Sequence, residues 1–205
     1  MIEVNIKDIK LYFNTDSRLF SPKGPDQGTL FMISHVDFQH SDQVLDLGCG
    51  YGLAGIYAAS ILPPDHVYMT DIDPVAVEIS AENITMNGVS GVTIFQSDAY
   101  ASIEKCNFTK ILSNPPYHTD FSVAKIFIEK GFNRLAIGGS MYMVTKRKEW
   151  YKNKLISVFG GVQIWEENGY YLFMAQKKAG TYACADLHKD RRKDGVRKNK
   201  HYPNK

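Results

Sequence analysis

The chain has 205 residues, of which 44% are hydrophobic and 22% are charged, the composition of an ordinary globular protein. No apolar run reaches the ~18 residues of a membrane span. The first ten residues, MIEVNIKDIK, lack the apolar core of a signal peptide, so we expect a cytoplasmic protein. The three cysteines are odd in number and have no Cys-x-x-Cys spacing, which argues against a disulfide framework and a zinc site.

The net charge of +2 is unevenly distributed. Residues 186–205 contain eight Lys or Arg and three Asp, a balance of +5, whereas the first 185 residues contain sixteen Lys or Arg and nineteen Asp or Glu. This basic segment has almost no apolar side chains with which to build a core. We predict a disordered basic tail over residues 179–205, either solvated without a partner or acting as an arm that binds nucleic acid.

Strand-like and helix-like segments alternate from residue 43 onward. Strands are predicted at 43–48, 66–72, 92–98, 110–114 and 140–145, and helices at 52–62, 73–88, near 121–136, and at 148–159. Asp73 and Pro74 suit the N-cap and first position of the second helix, in which Val77, Ala81 and Ile84 have the spacing of one face. The pair Gly138-Gly139 is expected to separate the third helix from its following strand.

The segments at the two ends of the chain depart from this alternation. Asn168-Gly169 between VQIWEE and YYLFMAQ is a strong hairpin signal, and it predicts one antiparallel strand at the sheet edge. The predicted fold is therefore α/β, with a doubly wound, mostly parallel, seven-stranded sheet, helices on both faces and a C-terminal antiparallel hairpin strand. Residues 1–42 are predicted to pack on a domain at 43–178 as an N-terminal extension.

Four successive predicted strands end in polar or glycine-rich segments: DLGCGYG, TDID, SDAY and NPPYH. In a doubly wound sheet, ligands bind beyond the carboxyl ends of the strands, so these segments predict a binding site. Glycines let a ligand approach the first of these loops closely, but Leu53 occupies the position where a dinucleotide fingerprint needs its third glycine. Asp71, 21 residues after Gly50, suits ribose hydroxyls, and Asp98 suits an adenine amino group. Asp73 is interpreted as a helix cap alone.

In their order and spacing, VLDLGCGYG, TDIDPVAV, SDAY and NPPYH resemble the motifs of Rossmann-like class I methyltransferases that use S-adenosylmethionine. The closer likeness is to the methyltransferase small family, which includes 16S ribosomal RNA guanine-N2 methyltransferases. LFSPKGPDQGTLFMI and NGYYLFMAQKK resemble that family's segment before the fold and its final hairpin, so the resemblance covers residues 11–178. Larger relatives carry a second, N-terminal domain, for which we see no room here, so other parts must hold the substrate.

This resemblance implies S-adenosyl-L-methionine as the cofactor, no metal, and a set of cofactor-binding residues. The residues that it assigns are Asp46, Gly48, Gly50 and Gly52 around the methionine part, Asp71 at the ribose, Asp98 and Ala99 at the adenine, Asp26, Gly28 and Thr29 closing the pocket from the N-terminal side, and Asn114. Gln27 replaces an apolar residue that is frequent in the family.

The segment NPPYH is expected to bind the methyl acceptor. Two consecutive prolines end regular structure and make a stiff corner. An exocyclic amine of a base is a poor nucleophile, because its lone pair is delocalised into the ring. The Asn114 side-chain oxygen and the Pro115 carbonyl are predicted to accept its two N–H groups and to aim the lone pair outward. Tyr117 offers a ring on which the base can stack.

Further RNA contacts are predicted around this corner. Pro116 and His118 are expected to contact the base, with His118 also a candidate proton acceptor, and Lys146, Arg147 and Lys148 are expected to meet phosphates. A solvated helix start is the alternative for the three basic residues.

The predicted function is transfer of a methyl group to the exocyclic amine of an RNA base, guanine N2 of 16S ribosomal RNA, in an unpaired or flipped-out nucleotide. Three alternatives remain open from the sequence: methylation of a protein glutamine at N5, methylation of adenine N6 in RNA or DNA, and a catalytically idle RNA-binding module.

Overall fold

A seven-stranded sheet covered by helices forms the centre of the structure, a computed structural model that describes residues 1–116 and 121–180. Tyr117, His118 and the predicted basic tail from residue 181 lie outside these residues. The elements are β1 (Ile2–Ile6), β2 (Ile9–Phe13), α1 (Gln27–His35), β3 (Val44–Leu47), α2 (Leu53–Ala59), β4 (Val67–Asp71), α3 (Pro74–Met86), β5 (Thr93–Gln96), β6 (Phe108–Ser113), α4 (Ser122–Arg134), β7 (Leu135–Thr145), α5 (Lys148–Phe159), β8 (Gln163–Glu167) and β9 (Tyr170–Gln176).

The strand order in the large sheet is β5-β4-β3-β6-β7-β9-β8. β3 pairs in parallel with β4 on one side and with β6 on the other, so the winding direction reverses beside β3. All neighbouring pairs from β5 to β7 are parallel, whereas β9 is antiparallel to both of its neighbours. The predicted doubly wound, mostly parallel, seven-stranded sheet is confirmed.

The C-terminal hairpin forms at Asn168-Gly169, whose φ angles of 50° and 78° are the left-handed values that a tight hairpin turn needs. The prediction that its antiparallel strand lies at the edge is wrong. β9 lies between β7 and β8, and β8 is the edge strand. Leu172, Phe173 and Ala175 of β9 are fully buried, whereas β8 contains no buried residue.

The predicted break at Gly138-Gly139 is also wrong, because β7 begins at Leu135, directly after α4. The two glycines instead accompany a register shift in the β6–β7 pairing. Gly138 has a φ of 87°, and a Cβ on Gly139 would lie 2.8 Å from the Phe108 carbonyl oxygen. Glycine is therefore needed inside this strand, where a bulge brings backbone close to backbone.

Helix α3 begins as predicted, because Asp73 accepts a hydrogen bond from the Val75 N–H and Pro74 is the first helical residue. Its predicted apolar face is only partly correct. The buried residues are Ala76, Ser80, Asn83 and Ile84, while Ala81 is exposed. Ser80 and Asn83 are polar on this face because they bind the backbone of the glycine-rich loop, and Asn83 also binds that of Asn14. Helix α2 is shorter than predicted and is followed by a short 3-10 helix at Pro64–His66.

Residues 1–42 form the antiparallel pair β1–β2 and helix α1. β2 contacts α3, while α1 contacts α2, β7 and β9. This arrangement supports an N-terminal extension packed on the sheet, and its boundary at residue 42 remains a prediction.

Within the described ranges, no helix has the length and apolar character that crossing a membrane requires.

Candidate active site

A cavity of about 330 Å³ lies at the carboxyl ends of the central parallel strands. Its wall includes eleven of the predicted site residues: Asp26, Thr29, Asp46, Gly48, Gly50, Asp71, Asp98, Ala99, Asn114, Pro115 and Pro116. The four sequence motifs therefore meet in one place, as strand polarity predicted.

The glycine-rich loop between β3 and α2, residues 48–52, is held by its own backbone and by side chains from neighbouring strands. The Gly48 and Cys49 N–H groups donate to the Thr70 carbonyl oxygen at 2.8 and 3.0 Å. The Gly50 N–H donates to the Asp71 carboxylate at 2.9 Å. Gly48, Gly50 and Gly52 all have positive φ, a conformation that glycine adopts without steric cost. No protein atom lies within 4 Å of a Cβ placed on Gly50, which leaves open space beside the loop.

Asp46 is buried below this loop and accepts a hydrogen bond from the Gly55 N–H at 2.8 Å. Burial raises the pKa of its carboxyl group to about 7, and the nearby Asp71 carboxylate adds to the rise, while the Gly55 N–H opposes it. Gly55 lies in the first turn of α2, so Asp46 positions the helix start as well as lining the cavity.

Asp71 ends β4 and uses both carboxylate oxygens within the protein. One oxygen accepts the Gly50 N–H, and the other accepts the Asp73 N–H at 3.0 Å. Each carboxylate oxygen can accept a further hydrogen bond, so Asp71 retains capacity for ribose hydroxyls. Asp98 is exposed at the cavity, and Ala99 beside it is buried with a φ of 50°.

Asn114 follows β6 and is held by the N-terminal extension. Its side-chain Nδ2 donates to Asp26 Oδ1 at 2.6 Å and to Thr29 Oγ1 at 3.0 Å. Asp26 also caps α1 by accepting the Thr29 N–H at 2.7 Å. These bonds join residues 85 and 88 positions apart, and no local sequence pattern encodes them.

The oxygen of the Asn114 side chain differs from the nitrogen in its contacts. Asn114 Oδ1 is buried and has no hydrogen-bond partner among the described residues. A buried acceptor left unpaired costs about 1–3 kcal/mol. Because Nδ2 donates both hydrogen bonds, the orientation of the Asn114 amide is determined. Its oxygen is the atom that has no partner among the described residues.

Two predicted cofactor residues do not line the cavity. Gly52 is the N-cap of α2, where its φ of 96° and a Cβ distance of 2.8 Å from Met69 Cε require glycine. Gly28 lies in α1 against Tyr170, with a Cβ distance of 2.7 Å from the ring. Both residues support the cavity wall without lining the cavity.

Several cavity residues were not predicted. Asp73, interpreted from the sequence as a helix cap alone, caps α3 and also lines the cavity. Arg18, Leu19 and Phe20 reach it from the segment between β2 and α1, and Phe127 reaches it from α4. The segment LFS was part of the family resemblance and pointed to the first group. No signal in the sequence marks Phe127, whose spacing is that of an ordinary helix core.

Lys146, Arg147 and Lys148 do not line the cavity. Their cationic groups lie 4.7, 5.0 and 4.9 Å from the rings of Tyr170, Phe121 and Tyr171, respectively. Lys148 also forms an ion pair with Glu166 at 3.2 Å. Their predicted contact with RNA phosphates stays a prediction.

Among residues 1–116 and 121–180, no group of three His, Cys, Asp or Glu side chains is arranged to hold a metal ion.

Comparison with known proteins agrees with this geometry. Residues 10–174 match the family described as Methyltransferase small domain. The chain is 33% identical over 171 residues to the uncharacterised protein YbxB of Bacillus subtilis (strain 168), covering 80% of this chain and 85% of that protein. It is 30% identical over 155 residues to ribosomal RNA small subunit methyltransferase C of Serratia proteamaculans (strain 568), covering 74% of this chain and 44% of the relative.

A solved structure shares the fold. The Thermus thermophilus 16S rRNA N2 G1207 methyltransferase (RsmC), in complex with AdoMet and guanosine, aligns with a TM-score of 0.80 at 24% identity, over 86% of this chain and 50% of that chain. The chain thus spans about half the length of the ribosomal RNA methyltransferases that it matches. The chain belongs to the methyltransferase small family, as its motifs predicted, and so to the S-adenosylmethionine-dependent methyltransferases.

Proposed function

We propose that this protein transfers a methyl group from S-adenosylmethionine to an exocyclic amine of an RNA base, guanine N2 in 16S ribosomal RNA. The observation that carries the proposal is the buried Asn114 Oδ1, which has no hydrogen-bond partner among residues 1–116 and 121–180, beside a cavity suited to the cofactor. An amine N–H is the donor that this oxygen lacks. Because the oxygen is shielded from solvent, water competes little for that bond.

The residues around the cavity fit the cofactor. The cavity volume of about 330 Å³ lies in the roughly 300–1,000 Å³ range of small-molecule sites. Asp71 has acceptor capacity for ribose hydroxyls, Asp98 is an exposed acceptor for an adenine amino group, and Gly50 leaves space for close approach. The bound cofactor supplies an electrophilic methyl group, and the protein has to bring the amine to it.

Residues of the Asn-Pro-Pro corner would orient that amine. Asn114 Oδ1 and the Pro115 carbonyl oxygen accept its two N–H groups, which draws the nitrogen toward tetrahedral geometry and directs its lone pair outward. Asp26 and Thr29 hold Nδ2, so the amide presents its oxygen rather than its nitrogen. Since these contacts exist before the substrate arrives, little reorganisation is needed during the reaction.

The remaining parts of the acceptor site are extensions of this proposal. Tyr117 supplies the stacking face for the base, and the methylated amine loses its proton to water or to an acceptor such as His118; both residues lie outside the described part of the chain. A guanine inside a duplex is inaccessible, so the target nucleotide is unpaired or flipped out.

The choice of 16S ribosomal RNA rests on relatives whose names state it. Several curated relatives are small subunit methyltransferases C, while others, at 28% identity, are large subunit methyltransferases G. We therefore propose ribosomal RNA or the small ribosomal subunit as the partner and the cytoplasm as the place of action.

Methyl transfer to purified components tests the proposal. The protein is incubated with tritium-labelled S-adenosylmethionine and, separately, naked 16S RNA, small subunits, large subunits and a protein extract, and the labelled product is digested and identified. We expect N2-methylguanosine from 16S RNA or from small subunits. The Asn114→Ala variant serves as the matched control for background transfer.

Each alternative gives a different product. Label in N5-methylglutamine would establish the protein substrate, and label in N6-methyladenosine would establish adenine as the target. Cofactor binding by calorimetry without transfer to any substrate would indicate an idle binding module. Labelled guanine in large subunits alone would replace 16S with the large-subunit RNA.

A further inference from the structure

The segment between β2 and α1 contains a loop, residues 15–25, that forms part of the cavity wall through Arg18, Leu19 and Phe20. We call it the cavity loop. It is closed internally by the Thr15 hydroxyl, which donates to the Pro22 carbonyl at 2.9 Å, and by the Ser21 hydroxyl, which donates to the Gly24 carbonyl at 2.9 Å. Both bonds lie within the loop, and the contacts at its two ends connect it to the rest of the site.

The C-terminal end of the cavity loop is held at the acceptor corner by the bond from Asn114 to Asp26. The N-terminal end is held at α3. Asn83 Oδ1 accepts the Asn14 N–H at 2.7 Å, and Asn83 Nδ2 donates to the Asn14 carbonyl at 3.0 Å. Asn83 therefore pairs with Asn14 as a neighbouring strand would.

Asn83 also reaches the glycine-rich loop. Its Nδ2 donates a second hydrogen bond, to the Tyr51 carbonyl at 2.8 Å. One turn earlier on the same face, the Ser80 hydroxyl donates to the Gly50 carbonyl at 2.9 Å. Asn83 is fully buried and does not line the cavity, yet its one amide ties together two loops that do.

We propose that Asn83 is a positioning residue that fixes the cavity loop relative to the glycine-rich loop, so that cofactor affinity depends on a side chain outside the cavity. This inference rests on the proposed use of S-adenosylmethionine. A buried amide that makes three hydrogen bonds to two segments has one low-energy arrangement, and losing it frees each loop from the other. Cofactor binding must then order both loops, and the free energy of that ordering weakens the affinity for the cofactor.

Helix α3 offers a matched control at Asn87, four residues further on. Asn87 Oδ1 accepts the Tyr12 N–H at 2.9 Å, and its Nδ2 donates to the Tyr12 carbonyl at 2.7 Å. Asn87 thus holds β2 by the same kind of paired bond but has no bond to the glycine-rich loop. Asn83→Ala removes a paired bond to Asn14 and Asn87→Ala removes one to Tyr12, together with the bond from Asn87 to the Asn83 carbonyl. Only Asn83→Ala also removes a bond to the glycine-rich loop, and so uncouples the two loops.

Calorimetric titration of S-adenosylmethionine into both variants and the wild type, together with their melting temperatures, tests the inference. We expect the two variants to lose comparable amounts of melting temperature. For Asn83→Ala alone, we also expect a roughly tenfold weaker affinity for S-adenosylmethionine, which corresponds to the free energy of about one hydrogen bond. In hydrogen exchange, cofactor should protect residues 14–26 and 48–55 together in the wild type and in Asn87→Ala, and to unequal extents in Asn83→Ala.

Equal affinities for the two variants, with joint protection of both segments retained, would overturn the positioning role and leave the proposed function intact. If the wild type does not bind S-adenosylmethionine, the proposed function fails and this inference with it. Should Asn83→Ala not fold, Asn83→Ser carries the same test, because it adds no buried charge and its shorter hydroxyl cannot bond to Asn14 and Tyr51 together.

Discussion

The two loops that follow the neighbouring strands β3 and β6 face the same cavity but are held in different ways. In the glycine-rich loop after β3, Gly48, Cys49 and Gly50 donate their N–H groups to Thr70 and Asp71, while α3 side chains donate to the Gly50 and Tyr51 carbonyls. At the corner after β6, the Asn114 amide is anchored through its nitrogen and its oxygen is left unpaired.

This difference separates two tasks. A cofactor that enters a loop whose shape is already determined binds with little ordering cost. In the proposed function, the reacting amine completes an acceptor that the protein leaves unpaired, and Asn114 Oδ1 would be that acceptor at the expense of some stability. The cofactor side is therefore expected to respond to substitution through affinity and stability, and the corner through rate.

Asn114→Ala should produce the largest effect. It removes the unpaired acceptor, and loss of one preorganised contact of this type lowers a rate by about 10²–10³. Single-turnover methyl transfer at saturating cofactor measures it and separates the rate from any change in affinity. Calorimetry and thermal melting report the affinity and stability lost when Asn114→Ala also releases Asp26 and Thr29. A variant that keeps more than about a tenth of the wild-type rate would show that the corner is only a turn.

Asp71→Ala should weaken cofactor binding. It removes the acceptor for ribose and releases the Gly50 N–H, and charge-assisted bonds of this kind contribute about 1–3 kcal/mol, or roughly 5- to 150-fold in affinity. Calorimetry with S-adenosylmethionine gives the number. Asp42→Ala is the matched control, because its buried carboxylate accepts the Gln39 N–H and pairs with Lys110 without lining the cavity, and we expect it to lower stability with little change in affinity.

Gly55→Ala should destabilise the cofactor side without adding a polar group. A Cβ there would lie 2.6 Å from Met69 Cγ and Sδ and 3.1 Å from Asp46 Oδ2. Overpacking costs about 1–3 kcal/mol, and the helix propensity gained over glycine returns only about 0.5–1 kcal/mol, so a net loss is expected. Urea unfolding measures it, with Gly24→Ala, which has open space around its Cβ, as the control. Equal stability of the two variants would mean that the helix start repacks freely.

Asp46 confers a pH dependence on stability. Burial raises its pKa from 3.8 to about 7 in the folded protein. Between these values the folded state holds a proton that the unfolded state has released, so the free energy of unfolding falls as the pH rises from about 4 to about 7. Above that range both states are ionised and the penalty is constant.

Asp46→Asn removes this titration and can still accept the Gly55 N–H. In cofactor-free protein, the melting temperature of the wild type relative to Asp46→Asn should therefore decline across this pH range and then level off. A difference that stays constant from pH 4.5 to pH 8 would show that Asp46 is ionised throughout and that its burial is offset by another group.

Local patterns in the sequence were sufficient for the elements and the cofactor loop. The Asn168-Gly169 turn, the cap at Asp73, the end of α5 at Gly160 and the positive φ at Gly48, Gly50 and Gly52 follow from the conformational preferences of residues close in sequence. Because parallel strands place their carboxyl ends at one edge of the sheet, the four motifs could be gathered into one site before any distance was known.

The tertiary structure alone decided what depends on residues far apart in the chain. The place of β9 inside the sheet follows from which faces the packed fold covers, and the glycines of β7 serve a bulge against β6 that strand propensity does not encode. The buried Asn83 of α3 and the C-cap residue Asn87 are satisfied by backbone partners 69 and 75 residues away.

The same distinction between local and long-range interactions applies to the chemistry of the site. The sequence by itself determined that an amide stands at a rigid corner after a strand and that a carboxylate ends the strand two places across the sheet. Only the tertiary structure decided which atom of that amide is free, because its orientation is set by Asp26 and Thr29, which lie 88 and 85 residues earlier. Hydrogen bonds between distant segments follow from the packing of the whole chain, and local preferences do not contain them.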